Sequence, residues 1–272
     1  MSRIQKAIAA SKESREGKSS QPRSMAKSLR DVVASSAVAK MLRPTNIDTA
    51  AMARSRILPG VDDKKAATAY KMLRTRVLKR MRSNNWNSLL VTGAGPNEGK
   101  TVTAANLAIS VAKDVNQSAI LVDLDLQRPS LAEYFGLTVG AGLGEFLNGE
   151  AEIKDIVYAP EGLERLTMIP NQRPIENSSD LIGSPRMHEL IAWTREQDNT
   201  TLTIFDMPPV LASDDVLAFV EYVNSVLLVV SQGITDRRAL EKTVELLGEN
   251  ELLGVVLNRS SNIVGNADYS YY

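Results

Sequence analysis

The sequence predicts an α/β fold, a mostly parallel sheet with helices on both faces, preceded by a basic N-terminal extension that is helical or disordered. Two observations predict the sheet. From residue 88 onward, short β-rich runs alternate with helical patterns, the pattern of parallel strands joined by crossover helices. Most of these runs are continuously apolar, as in strands covered on both faces. A third observation sets the extension apart. The 272 residues carry 32 Lys+Arg and 32 Asp+Glu, yet residues 1–82 hold 20 basic and 6 acidic side chains, and residues 83–272 hold 12 and 26. Such a split within one neutral chain points to two jobs.

Taken in order, residues 1–62 read as a basic extension and linker, 63–258 as the folded domain, and 259–272 as a flexible tail. Leu29–Leu42 reads as a helix with Leu29, Val32, Val33 and Met41 on one side, and 43–62 as linker. Lys64–Arg82 reads as an amphipathic helix, with Tyr70, Leu73, Val77 and Met81 at helical spacing among eight basic residues. The strands are expected at Ser88–Thr92, Ala119–Asp123, Arg165–Ile169, Thr201–Phe205, Ser225–Val230 and Leu252–Leu257. Helices are expected at Thr101–Lys113, Pro185–Gln197 and Asp236–Leu247.

Composition excludes several classes. A hydrophobic content of 43% excludes a chain disordered throughout. Apolar runs such as Val226–Val230 fall far short of the roughly 20 residues of a membrane-spanning helix. The first residues, MSRIQKAIAASKESREG, hold no continuous apolar stretch of the secretory type. Without cysteine there are no disulfides, thiolate metal sites or thiol nucleophiles. These features fit a cytoplasmic protein. The basic segment has no aromatic interleaving, so nucleic acid is not expected as a partner.

The strongest local signal is LLVTGAGPNEGKT, residues 89–101. A strand, a Gly-rich turn and a helix opening on Gly99-Lys100-Thr101 form the context of a P-loop. Gly93, Ala94, Gly95, Pro96, Asn97, Glu98, Gly99, Lys100, Thr101 and Val102 are the candidate phosphate-binding residues. Backbone N–H groups would face the phosphates, Lys100 would reach the β- and γ-phosphates of ATP, and the Thr101 hydroxyl would ligate Mg²⁺. Ala94 stands where the strict pattern has Gly. AILVDLDLQRP places Asp123 and Asp125 at a strand end, two apart and therefore on one side. LTIFDMPPV places Asp206 at the end of another strand, followed by two prolines. Ligands of open α/β sheets bind beyond the carboxyl ends of strands. The four residues Lys100, Asp123, Asp125 and Asp206 are the catalytic candidates, and Thr101, Asp123 and Asp206 the metal candidates.

With these residues in view, the chain resembles, over about residues 64–272, the bacterial tyrosine autokinases of polysaccharide export systems, a family built on a MinD/ParA-like P-loop NTPase fold. GAGPNEGKT looks like its Walker A, AILVDLDLQRP like its second acidic motif, and LTIFDMPP like its Walker B. GVVLNR is similar to the strand whose Asn, here Asn258, serves the adenine ring. The resemblance implies ATP and Mg²⁺ as cofactors and autophosphorylation of a C-terminal tyrosine cluster, here Tyr269, Tyr271 and Tyr272. It also implies a homo-oligomer, a cognate tyrosine phosphatase, and a membrane-anchored polysaccharide co-polymerase as activator, on a separate chain. That activator would bring a cytoplasmic protein to the inner face of the membrane. Two motifs depart from the family pattern. Gln127 stands where D-x-D-x-R has Arg, with Arg128 next to it, and Thr68, Lys71 and Arg74 stand where E-x-x-R-x-x-R is usual.

The tail stands out without the family: three of seven tyrosines lie in the last four residues. Two competing readings are a MinD/ParA-like positioning ATPase and a non-catalytic nucleotide-binding regulator of an export complex. The first is weakened by Gly95, which occupies the position where those ATPases usually carry a second Lys. His188, Met187 and Trp193 read as surface or packing residues of one helix, and Asp214 and Asp215 as caps of the next, with a site role kept open for Asp215.

Overall fold

The computed structural model describes residues 43–248, 250 and 252–260. The 29–42 helix and Tyr269, Tyr271 and Tyr272 lie outside the described residues.

The sheet is built from β1 (Arg43–Thr45), β2 (Ser88–Gly93), β3 (Ser118–Asp123), β4 (Tyr158–Pro160), β5 (Leu166–Ile169), β6 (Thr201–Asp206), β7 (Ser225–Ser231) and β8 (Leu252–Asn258). Their spatial order is β1-β4-β5-β3-β6-β2-β7-β8. All neighbours pair parallel except β4 and β5. The six expected strands are present. The five inner ones appear where apolar runs occur because alternate side chains enter two separate cores, whereas the edge strand β8 leaves Val255 and Leu257 exposed. In β3, Ala119 and Leu121 join one core, whereas Ile120 and Val122 join the other. Each fully buried Leu or Ile there contributes roughly 1.5–3 kcal/mol.

The first core is covered by α1 (Thr49–Arg54), α2 (Lys64–Ser83), α3 (Lys100–Ala112) and α4 (Leu131–Phe135). The second is covered by α5 (Leu143–Leu147), α6 (Ile153–Ile156), α7 (Ser178–Ile182), α8 (Pro185–Arg195) and α9 (Asp215–Phe219), with Leu247 of α10 (Arg237–Leu247) at its margin. Helix α2 forms as its spacing predicts. The Asp63 carboxylate accepts the Lys65 and Ala66 N–H groups at 2.9 and 3.0 Å, and Val77, Leu78 and Met81 are buried. Among the described residues, no helix is long and apolar enough to cross a membrane.

Residues 43–62 are not a plain linker. They hold β1, paired with β4, and α1, whose Asp48 carboxylate accepts the Ala50 N–H at 2.8 Å. Met52 and Ile57 are fully buried. Asn106 on α3 accepts the Leu58 N–H at 2.7 Å and donates to the Arg56 carbonyl at 3.0 Å. A three-residue strand and two anchors five residues apart leave no periodic signal, so the sequence does not announce this segment.

Candidate active site

Strand β6 lies between β3 and β2, so the sheet itself gathers three motifs. Asp123 and Asp206 are register partners at the ends of β3 and β6, and the Gly-rich loop leaves the end of β2. The Thr92 hydroxyl donates to the Pro208 carbonyl at 2.6 Å. The Val210 and Leu211 N–H groups bond the Gly93 and Ala94 carbonyls at 2.9 and 3.3 Å. The proline segment after Asp206 thus braces the loop. Gly93 is needed for space: a Cβ there would lie 2.9 Å from the Val229 carbonyl oxygen. Ala94 is buried, while Pro96 and Asn97 are exposed. Gly99 turns the chain into α3 with φ +88°, a conformation that costs Gly least.

Helix α3 differs from the other long helices. The N-caps of α2, α8 and α10 are side chains that accept a backbone N–H, whereas Gly99 offers none. The first N–H groups of α3 therefore face the loop uncapped, at the positive end of the helix dipole. Lys100 is buried and turns its ammonium towards the Gly95 carbonyl at 3.4 Å. Thr101 and Val102 follow, half-buried. Together they form an anion cradle.

Opposite the cradle lie buried carboxylates. Asp123 is fully buried. Its Oδ2 accepts the Ser130 and Leu131 N–H groups at 3.0 Å each, and its Oδ1 has no partner. Burial, then repulsion from Asp206, pushes its pKa well above the ordinary carboxylate range, against the pull of those two N–H groups. Asp206 is 1% exposed, and neither of its oxygens has a hydrogen-bond partner. Burial raises its pKa to about 7. The Thr101 hydroxyl, which closes no hydrogen bond with it, and the Lys100 charge draw it back. Asp125 is half-buried, with Oδ1 accepting the Arg128 N–H at 3.0 Å. Burial raises its pKa, opposed by that N–H and by the Lys100 and Arg128 charges.

Buried carboxylate oxygens without partners are costly in a protein alone. A divalent cation beside them would relieve both the desolvation and the repulsion, so the donor set fits Mg²⁺. Among the described residues, no group of three or more His, Asp or Glu could hold a metal unaided. Asp123, Asp206 and Thr101 would therefore share the ion with phosphate oxygens and water, as Mg²⁺ commonly requires.

Asn258 also reaches the loop, its Nδ2 donating to the Glu98 carbonyl at 2.8 Å. Gln127 stays outside, exposed and donating to the Ser178 hydroxyl at 3.1 Å. The Arg128 backbone and charge act on Asp125, next to the position where the family carries its Arg. On α2, the Thr68 hydroxyl is spent on the Lys64 carbonyl at 2.8 Å, and Arg74 donates to the Ser110 carbonyl at 3.0 Å. His188 is exposed and contacts Tyr222, while Met187 is buried and Trp193 packs against the second core.

Asp215, Tyr134 and the Glu98 side chain gain weight in the structure. Asp214 and Asp215 do not cap α9 through their side chains. Asp215 is fully buried, and the Ser179 hydroxyl lies 2.9 Å from both carboxylates. One Asp215 oxygen is unpartnered, and its charge reaches Asp125. Tyr134 is half-buried on α4, and burial, then the Asp206 charge, raises its pKa. The Glu98 side chain is buried inside the loop. Only its place between Asn97 and Gly99 marks it in the sequence.

No family model matches the chain. The chain is 30% identical over 206 residues to the tyrosine-protein kinase YwqD of Bacillus subtilis, covering 75% of this chain and 84% of that one. It is also 30% identical over 210 residues to the tyrosine-protein kinase Wzc of Salmonella typhimurium. That match covers 76% of this chain but 29% of Wzc, so the chain spans under a third of that relative's length. The kinase domain of the Escherichia coli tyrosine kinase ETK is structurally similar, with TM-score 0.66 and 28% identity over 76% of this chain and 79% of that one. The septum site-determining protein MinD of Pyrococcus horikoshii, complexed with Mg-ADP, shares the fold at TM-score 0.52 and 20% identity, over 64% of this chain and 71% of that one.

Proposed function

Because the chain belongs to the bacterial tyrosine-protein kinase family, we propose that it binds ATP at Gly93–Thr101 and transfers the γ-phosphoryl group to its own tail tyrosines, Tyr269, Tyr271 and Tyr272. The observation that carries this reading is the in-register pair Asp123 and Asp206, with three unpartnered oxygens, facing the uncapped start of α3. A nucleotide with its cation satisfies both sides at once.

The residues then divide the work. The loop and first α3 N–H groups hold the phosphates, and Lys100 follows charge onto the transferred group. Thr101, Asp123 and Asp206 would hold Mg²⁺, which supplies charge neutralisation to the phosphates. Asp125 is better placed than Asp123 to accept the tyrosine proton, because it is half-exposed and its oxygens are less committed. As the phenol O–H bond breaks towards Asp125, the phenol oxygen bonds the γ-phosphorus. The bond from that phosphorus to the bridging oxygen breaks, and ADP leaves.

The wider role rests on the resemblance. The chain would regulate export or polymerisation of an extracellular polysaccharide. It would act as a homo-oligomer, under a membrane-anchored co-polymerase and opposed by a tyrosine phosphatase. The basic segment before residue 63 is suited to docking at an anionic membrane surface or a partner there.

Labelled ATP with Mg²⁺, followed by phosphotyrosine mapping, tests the reaction. Phosphate is expected on the tail tyrosines, and Lys100→Met is expected to lower it by at least about 1,000-fold. ATP hydrolysis without phosphotyrosine would instead favour a positioning ATPase.

A further inference from the structure

The backbone of Glu98 belongs to the phosphate loop, but its side chain has no part in the chemistry above. It is 1% exposed. Its Oε1 accepts the Thr235 hydroxyl at 2.5 Å. That hydroxyl in turn accepts the Ser231 N–H, at the end of β7, at 2.9 Å. The Glu98 carbonyl accepts Nδ2 of Asn258, at the end of β8, and the Asn258 carbonyl accepts the Gln232 N–H at 3.1 Å. One loop residue is thus gripped through its side chain and its carbonyl by partners 137 and 160 positions further along the chain.

The grip is close-fitting. A Cβ at Gly93 would lie 2.1 Å from Glu98 Oε2, and one at Gly99 would lie 2.1 Å from Asn258 Nδ2. Both glycines are therefore needed for the grip as well as for the turn. Oε2 is buried without a hydrogen-bond partner. A buried negative charge beside a phosphate cradle opposes the ligand rather than attracting it, so its use lies in what it holds. A charge-assisted hydrogen bond is short and directional, which suits a fixed loop shape better than apolar packing.

We propose that Glu98 is a positioning residue: with Thr235 and Asn258 it latches the phosphate loop to the ends of β7 and β8, holding the loop in its phosphate-binding shape before nucleotide arrives. It touches no phosphate and acts through the backbone of the loop. The inference rests on the reading of that loop as an ATP site. Apparent affinity falls by the fraction of loop that is correctly shaped, so releasing the latch weakens binding more than it slows the transfer step.

Equilibrium binding of a fluorescent ATP analogue with Mg²⁺ to the full chain tests this, with the phosphorylation rate at saturating ATP as a second readout. Thr235→Val is expected to weaken binding about tenfold, the scale of one hydrogen bond to a charged group, with the saturated rate within about twofold, and Glu98→Ala is expected to weaken binding at least as much. Thr235→Ser, which keeps the hydroxyl, is expected to bind as wild type. The double variant Glu98→Ala/Thr235→Val is expected to be no weaker than the weaker single one. Should Glu98→Ala fail to fold, the two Thr235 variants decide. The latch is overturned by unchanged binding in Thr235→Val, by equal loss in Thr235→Ser, or by losses that multiply. If those variants bind as wild type while Lys100→Met binds weakly, the ATP site stands and the latch alone falls. If wild type binds no nucleotide, both fall.

Discussion

Asn106 and Asp206 are equally buried, each 1% exposed, and the molecule treats them in opposite ways. Asn106, where α3 meets residues 56–58, has its amide nitrogen and oxygen both paired with backbone groups. Asp206, at the carboxyl end of β6, has neither oxygen paired, and its neighbour in register, Asp123, leaves one oxygen unpaired. Burial alone does not separate a structural polar group from a functional one; satisfaction does. The first region is complete as folded. The second would be completed by the cation proposed above.

Substitution at Asp206 is expected to show the largest contrast. Asp206→Asn should lower tyrosine phosphorylation about 100- to 1,000-fold, while raising the stability of the Mg²⁺-free protein by roughly 1–4 kcal/mol. Urea denaturation beside the activity assay checks both; a less stable variant would break the comparison. Asn106→Ala should do the reverse, costing about 2–4 kcal/mol through two stranded backbone groups and leaving the saturated rate within about twofold at temperatures where the variant is folded.

Solution pH sharpens the contrast further. Asp206 titrates at about 7 in the folded protein, above the ordinary value of about 4 in an unfolded chain. Between those values the folded state keeps a proton that the unfolded state has lost. Its contribution to stability is fully present below about pH 4 and is lost as pH rises through 7. Asp123 is shifted in the same direction and adds to the trend. Denaturation without Mg²⁺ at pH 5 and pH 8 should therefore show lower stability at pH 8, and Asp206→Asn should flatten the difference. The smallest effect is expected at Asp63, a satisfied but exposed cap. Asp63→Ala should cost about 1 kcal/mol by thermal denaturation, with the saturated phosphorylation rate within about twofold.

The sheet and the motif residues were legible because each is a local pattern. Ser88–Gly93, Ser118–Asp123 and Thr201–Asp206 are apolar runs ending in a Gly or Asp, and a parallel sheet aligns such endings without further instruction. Residues 43–62 were not legible, since β1 has three residues and Met52 and Ile57 are isolated anchors. Nor was the bond from Thr235 to Glu98, which depends on two strand ends meeting across the fold. Asp215 reads first as a cap, the usual use of Asp at a helix start, with a site role kept open; its burial and its partner Ser179 add weight to the second reading. The order of motifs along the chain carried the site, and contacts between distant segments carried what supports it.

The bond between Asn258 and the loop also fixes where the tail is rooted. Tyr269 comes eleven residues after Asn258, a leash of at most roughly 40 Å, and its fixed end lies 2.8 Å from the phosphate loop of the same chain. On the proposed reading, with Tyr269 as acceptor, each molecule would carry its own acceptor within reach of its own site, whatever the protein concentration. On that reading, distance would not decide whether a tyrosine is served by its own chain or by a neighbour. The direction from which the phenol could enter would decide it.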